Sequence, residues 1–247
     1  MSTDPKTTVY LITGANHGIG SLALVNALST KPNVTIVAAV RDPSIFKHGA
    51  QNVYSLKYIS GDVDGNTALA KDIEGRFGKV DVACAGIATY MGSALDTPPS
   101  VLQEHFEINT TGILLLFQAL APLLRRSATP RFIPISSAAT SLTAFTELPA
   151  GYTCYGASKA ALNYIARKIH FENDWLVCFP LAPGIVKTDM SRANREMDTT
   201  GSLAPIQDAI AMESEDAAVS LIDIIDGSTR EKDGGEFINV DGSRTPW

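Results

Sequence analysis

Cysteine is scarce in this chain. Cys84, Cys154 and Cys178 are the three present, and they lie far apart. That is too few and too scattered for a disulfide framework or a thiolate metal site. Reduced thiols and a cytoplasmic location are the expectation. His48, His105 and His170 show no metal-ligand spacing, so no metal is expected. Long apolar runs are missing as well. None approaches the roughly 20 residues that span a bilayer. The longest, over 113–124, is interrupted by Gln118 and Pro122 and reads as a buried helix. Met1-Ser2-Thr3-Asp4-Pro5-Lys6 lacks a basic start followed by an apolar core, so no signal peptide is expected. Positive charge is in deficit, with 20 Lys and Arg against 26 Asp and Glu. That balance argues against nucleic acid or an anionic membrane as the main partner.

What is present is ordinary for a globular protein: 45% hydrophobic and 19% charged residues in a chain of 247. Apolar β-like runs at 9–13, 34–40, 53–59, 80–85, 131–136, 176–180 and 236–240 alternate with helical patterns. The helical stretches fall at 18–28, 66–77, 99–125, 155–171 and 214–225. Ile36-Val37-Ala38-Ala39-Val40 is apolar throughout, as a parallel strand covered on both faces requires. Strand–helix alternation with short connections predicts an α/β fold, a doubly wound parallel sheet with right-handed crossovers. No repeat or linker divides the chain, so a single domain over 1–247 is expected. The least regular stretches, 138–154 and 191–207, both follow strand ends, where an open α/β sheet places its ligand crevice.

The first strand runs into Gly14-Ala15-Asn16-His17-Gly18-Ile19-Gly20 and then a helical pattern. A glycine-rich turn in that position lets the backbone approach a pyrophosphate, which the helix N-terminus stabilises. His17 is either near the same phosphate or an uninvolved loop residue. The second strand ends Val40-Arg41-Asp42. An acidic side chain there binds a ribose 2′-hydroxyl, whereas an arginine accommodates a 2′-phosphate. Arg41 comes first, which favours NADP(H); Asp42 is either a ribose ligand or a surface partner of Arg41. Asp62-Val63 after the third strand is placed to touch an adenine, or Asp62 is an ordinary N-cap.

Tyr155 and Lys159 lie four residues apart on one predicted helix face. A phenol of ordinary pKa, about 10, is a poor proton donor near neutrality. A nearby lysine cation favours the phenolate and would bring that pKa toward a catalytic range.

Thr13-Gly14-x-x-x-Gly18-x-Gly20, Asp62-Val63, Ala85-Gly86, Asn109, Ile135-Ser136-Ser137, Tyr155-x-x-x-Lys159 and Pro183-Gly184-x-Val186-x-Thr188-Asp189 occur in one order. Together they resemble the classical short-chain dehydrogenase/reductase family. Ala39-Val40-Arg41-Asp42-Pro43, His170-Phe171-Glu172 and Asp241-Gly242 with Pro246-Trp247 resemble its fungal norsolorinic-acid-ketoreductase-like branch. The resemblance implies a Rossmann-type fold, NADP(H), and reversible hydride exchange with a carbonyl or alcohol. It implies Tyr155 as general acid, Lys159 as its tuner and ribose anchor, Ser137 on the substrate carbonyl, and Asn109 anchoring a water. Ser136 is the competing serine. Gly14, Asn16, His17, Gly18, Ile19, Gly20, Arg41, Asp62, Val63, Ala85, Gly86, Asn109, Tyr155, Lys159, Pro183, Gly184, Val186 and Thr188 are the implied cofactor contacts. A homo-oligomer, dimer or tetramer, is the family's habit.

The chain departs from the family in two places. Cys84 stands where the family has asparagine, and Ser137 and Tyr155 are 18 positions apart, an unusually long interval. Its extra residues, over 143–151, read as a substrate-side loop. Thr89, Tyr90, Met91, Phe145, Leu148 and Tyr152 are candidate substrate contacts, and 191–207 a candidate lid. They suggest a hydrophobic or aromatic ketone of secondary metabolism. Cys154 either lines that pocket or packs as a small thiol. Two alternatives are a dinucleotide-binding sensor without turnover and a site recruited for a non-redox biosynthetic step.

Overall fold

The structure is a computed structural model that describes residues 7–15, 21–85 and 92–247. Strands β1 (Thr8–Thr13), β2 (Val34–Val40), β3 (Val53–Lys57), β4 (Val82–Ala85), β5 (Arg131–Pro134) and β6 (Val177–Cys178) form one sheet. Their order is β3-β2-β1-β4-β5-β6, and every pairing is parallel. The chain therefore winds outward twice from β1, and the order reverses between β1 and β4. A parallel pair, β7 (Leu181–Ala182) and β8 (Ile238–Asn239), extends the sheet. It joins β5 through a bridge between Ile135 and Leu181. The run predicted over 176–180 is split because Pro180 brings no N–H to the ladder.

Alternation along the strands distributes side chains to two cores. Val9, Leu11, Val37 and Ala39 face one side, packed on α2 (Val63–Phe77), α4 (Gly112–Leu124) and α5 (Thr153–Glu172). Tyr10, Ile12, Ile36, Ala38 and Val40 face the other, packed on α1 (Ser21–Ser29) and α8 (Ser214–Gly227). Both faces of β1 and β2 are covered, which explains their continuous apolar sequence. Strands, helices and doubly wound order agree with the sequence expectation.

Two differences bear on function. The helix predicted over 99–125 is α3 (Pro99–Phe106), a π-helical turn (Glu107–Thr111) and α4. As one body, Pro99–Leu124 is long and apolar enough to cross a membrane by length and composition. However, Ile113, Leu116, Leu120 and Leu124 are buried against the sheet. The stretch 191–207 is not irregular. It holds α6 (Asp189–Met197) and the start of α7 (Leu203–Ile210), and a short α9 (Arg230–Asp233) precedes β8. Asn194 is the one buried residue of α6, so no apolar period marks that helix. Capping does mark it: Thr188 Oγ1 accepts from Ser191 N at 3.1 Å.

Candidate active site

The candidate residues converge at the C-terminal ends of β1, β4 and β5. Beyond β5 the backbone stays extended, and successive side chains alternate. Ser136 points inward and is 1% exposed. Its hydroxyl donates to Asn163 Oδ1 at 2.5 Å, and Asn163 Nδ2 donates to Thr140 Oγ1 at 2.8 Å. Ser137 faces the other way, into a cavity. Its hydroxyl caps the short 3₁₀ turn Ala138–Thr140 through Ala139 N at 3.3 Å and hydrogen-bonds the Tyr155 phenol. Of the two serines, only Ser137 meets the tyrosine.

Tyr155 and Lys159 share a face of α5, with Lys159 Nζ 5.9 Å from the Tyr155 ring centroid. Lys159 is 2% exposed. Burial disfavours its ammonium and brings its pKa down to about 7. Burial acts on the phenol in the opposite sense and pushes Tyr155 up to about 12, with Ser137 pulling down and Tyr152 pushing up. Lys159 Nζ is committed to the Ile135 carbonyl at 2.7 Å. Ser137 pulls the phenol down, but burial outweighs it.

Asn109 sits inside the π turn. Its Nδ2 donates to Ser158 Oγ at 3.1 Å, and Ser158 Oγ donates in turn to the Tyr155 carbonyl at 2.9 Å. Thr110 Oγ1 donates to the Ser158 carbonyl at 2.8 Å. These bonds tie the π turn to the turn of α5 that carries Tyr155. Across the helix, Ser60 Oγ donates to the Ile108 carbonyl at 2.8 Å. The approach is so close that a Cβ on Gly112 would lie 2.0 Å from Ser60 Oγ and 2.9 Å from Gly61 N. Such π turns favour functional sites because the extra residue re-aims side chains. Sequence reasoning missed Ser158 and the π turn. The available signal was the unbroken polar and β-branched run Asn109-Thr110-Thr111 before a glycine in an otherwise apolar helix.

On the cofactor side, Gly14 follows β1 and its N–H donates to Ala39 O at 2.9 Å. Asn16, His17, Gly18, Ile19, Gly20 and Gly86, with Thr89, Tyr90 and Met91, lie outside the described residues. Ala85 ends β4. Arg41 is exposed at the end of β2. Asp42 does not pair with it; its carboxylate accepts from Ser44 N at 2.9 Å and Oγ at 2.7 Å. Those bonds hold Asp42 below the usual carboxylate range. Asp62 caps α2 through Gly65 N at 2.8 Å, and Val63 behind it is exposed. Pro183 leads into Gly184, whose φ of 73° is the left-handed region and whose Cβ would lie 2.9 Å from Val240 Cγ1. Only glycine fits there. Val186 is buried and bridges Met212, and Thr188 caps α6.

These residues fit a dinucleotide. Thr13 Oγ1 and Asn109 Oδ1 are buried without a hydrogen-bond partner, at the two strand and helix edges that frame the crevice. Unpaired buried acceptors and donors are rare, and a polar group in the crevice would satisfy them. Among the described residues no cluster of His, Cys, Asp or Glu could hold a metal.

Beside Ser137 lies a cavity of about 1010 Å³. Phe145, Leu148 and Tyr152 line it from the long loop, and Leu203 and Ile206 from α7. The loop is fixed at its far end, where Gly92 N donates to Gly151 O at 2.9 Å. Cys154 is fully buried and packs instead of lining the cavity. Cys84 and Cys178 are buried too, and burial pushes the Cys84 thiol up to about 12.

Comparison with known proteins agrees with this geometry. The sequence profile described as short chain dehydrogenase matches residues 8–199. Norsolorinic acid ketoreductase of Dothistroma septosporum is 34% identical over 99% of this chain and 94% of its own length. The Aspergillus parasiticus protein of that name is 33% identical over 98% and 92%. Carbonyl reductase Sniffer of D. melanogaster superposes with a TM-score of 0.82 at 26% identity, covering 98% of this chain and all 100% of that one. An NADPH-bound carbonyl reductase from chicken fatty liver, 24% identical with a TM-score of 0.82 over 98% and 100% of the two chains, shares the fold. A doubly wound sheet, a serine and a Tyr-x-x-x-Lys pair at one crevice, and a match through residue 199 leave one conclusion: the chain is an oxidoreductase of the short-chain dehydrogenase family.

Proposed function

We propose that this chain is an NADP(H)-dependent ketoreductase acting on a hydrophobic, aromatic ketone of secondary metabolism. The observation that carries the reading is the contact of the Tyr155 phenol with Ser137, whose side chain lines an apolar cavity large enough for a multi-ring substrate. When bound, the reduced dinucleotide supplies the hydride that reaches the carbonyl carbon. The chain's residues handle the oxygen. Ser137 donates a hydrogen bond to the oxygen as negative charge develops. Tyr155, protonated at neutral pH because burial raises its pKa, delivers the proton. Lys159 and Asn109 stand behind it and hold the path along which the phenol is reprotonated. Arg41, exposed and with no acidic partner among the described residues, supports a 2′-phosphate.

The test is cofactor oxidation, followed by absorbance, with a panel of aryl ketones. Tyr155→Phe is expected to lower kcat by about 10²-fold or more; comparable turnover would remove the acid from the mechanism. Arg41→Ala is expected to raise KM for NADPH about tenfold with little change for NADH. Equal kcat/KM for the two cofactors in the wild type would overturn the NADP assignment.

A further inference from the structure

The substrate-side loop is tied to the body of the fold by a single hydrogen bond between its ends. Inside the loop the bonds are local: Ala144 N donates to Ser141 Oγ at 3.1 Å, Thr146 Oγ1 to Leu142 O at 2.6 Å and Leu148 N to Phe145 O at 3.2 Å. Among the described residues one hydrogen bond joins 142–149 to a distant part of the chain, from Thr143 Oγ1 to the Trp247 carbonyl at 3.0 Å. Phe145 and Leu148 stand in the cavity wall, although Phe145 is 45% exposed and has little burial to hold it there. Trp247 is itself seated on two elements. The chain folds back after β8, with Thr245 N donating to Phe237 O at 2.8 Å and Asn239 N to Ser243 O at 2.9 Å. That return brings the Trp247 ring 5.6 Å from the ring of Phe237. Arg167 of α5 places its guanidinium 5.2 Å from the Trp247 ring and 5.2 Å from that of Phe171, within cation–π reach of both. Its Nη1 also donates to Gly235 O at 2.6 Å. Phe171 and Trp247, from motifs far apart in the sequence, thus meet over one arginine of the helix that carries Tyr155 and Lys159.

We propose that Trp247 is the positioning residue of this loop. By holding Thr143 it keeps Phe145 and Leu148 in the cavity wall, and it sets how tightly a large ketone is bound without touching the reacting atoms. Local turns fix the shape of a short loop but not its placement on the fold, and a segment with few buried contacts opens easily. A hydrogen bond to a carbonyl that is itself immobilised supplies the placement. The Trp247 carbonyl is immobilised through its own ring, which is held between Phe237 and Arg167. The loop is thereby referred to α5, the same helix that presents the proton donor. Ser137 and Phe145 line one cavity, so a ketone that fills it lies against the loop, whereas one of a few carbons at Ser137 does not. The inference rests on the ketoreductase reading and deepens it by naming a residue remote from the chemistry that controls substrate affinity.

The experiment measures KM and kcat on the NADPH-loaded protein for acetylanthracene, which fills the cavity, and for butanone, which does not. Thr143→Val and Trp247→Ala are each expected to raise KM for acetylanthracene about fivefold, as the loss of a single hydrogen bond would. The kcat values and the butanone KM should change little, the pattern of lost binding that is uniform along the reaction. Trp247→Phe keeps the carbonyl and sets a ring on Arg167, so it should stay close to the wild type. A merely structural role would lower kcat for both ketones together. That outcome, or an unchanged KM for acetylanthracene in Thr143→Val, overturns the proposal. Thr143→Val leaves the packing of the Trp247 ring intact, so the test stands even where Trp247→Ala fails to fold. Hydrogen exchange of the free protein separates the tie from the reaction. If the wild type reduces neither ketone, the ketoreductase reading fails. Faster exchange of the 144–148 amides in Thr143→Val, with those of α5 unchanged, still supports the positioning role, and an unchanged rate overturns it.

Discussion

Lys159→Met is expected to make the cofactor-free protein more stable while silencing it. Lys159 is 2% exposed, and burial takes its pKa from 10.5 to about 7. Between those two values the unfolded chain holds a proton that the folded chain does not. Stability therefore rises with pH across that window, and the penalty is complete below about pH 7. At about 1.4 kcal/mol per pKa unit, the penalty is roughly 4–5 kcal/mol. Methionine has a similar apolar stem and removes it. The substitution also strips the donor from the Ile135 carbonyl, which returns about 1–3 kcal/mol. The net gain at pH 7 is roughly 2 kcal/mol, or about 4–8 °C in Tm for a chain of this size.

Urea unfolding of both proteins at a series of pH values, with turnover measured in parallel, is the assay. The stability advantage of the variant is expected to be largest near pH 7 and to shrink toward pH 10. A variant less stable than wild type at pH 7, or an advantage that grows with pH, would falsify the view that Lys159 is held there at the expense of the fold. A stable, inactive variant would be the familiar trade between stability and activity at a functional site.

Other substitutions test the surrounding framework. Ser136→Ala removes the donor to Asn163 Oδ1 and should cost about 1–3 kcal/mol while leaving kcat within a fewfold of wild type. Ser137→Ala should do the reverse, with little loss of stability and a drop in kcat of about 10²-fold; identical behaviour of the two would dissolve the distinction. Gly112→Ala sets a methyl 2.9 Å from Gly61 N as well as 2.0 Å from Ser60 Oγ. It should destabilise by roughly 2–4 kcal/mol, and Ser60→Ala should restore only part, because the backbone clash remains. Cys84, Cys154 and Cys178 are all buried and free. Ellman's reagent should find no fast thiol in the native protein and all three after unfolding; rapid native labelling would contradict the packing.

The fold was legible because its signals are local and redundant. The all-apolar run 36–40 of β2 can only be a strand covered on both faces, and glycine turns and helical periods punctuate the rest. Tyr155 and Lys159 were singled out by their spacing, and Ser137 and Asn109 by the family resemblance. What spacing could not decide was direction. Ser136 and Ser137 are chemically identical neighbours, and only the alternation of an extended backbone sends one to Asn163 and the other to Tyr155. Tyr155 and Lys159 share a helix face as expected, but a long side chain chooses its partner in three dimensions, and Lys159 reaches back to Ile135. The π turn at Asn109 was invisible because its cause is tertiary. Ser60 and Gly61 press on the helix from β3's loop, and Ser158 holds it from α5. Asp62 carried both readings in the sequence, and its cap to Gly65 leaves the second carboxylate oxygen still available for the first.

The unpaired buried polar atoms give the clearest sign of what the fold is organised around. Thr13 Oγ1 lies at the end of β1, Asn109 Oδ1 in the π turn and Asn194 Oδ1 on α6. Tyr58, Asn66, His105 and Trp175 carry such atoms elsewhere among the described residues, but Thr13 and Asn109 stand at the end of β1 and in the π turn, near the buried Lys159. Each departs from the rule that buried polar groups are satisfied, at a cost of about 1–3 kcal/mol apiece. The double apolar core supplies the stability that tolerates them. Violations scattered at random would read as poor packing. Thr13 and Asn109, both in segments the family resemblance ties to the cofactor, read as groups held ready for a ligand, and filling them should raise stability. Saturation with dinucleotide is accordingly expected to raise Tm by an amount that grows with the logarithm of ligand concentration over Kd. An equal rise in Asn109→Leu would show that the Asn109 oxygen takes no part.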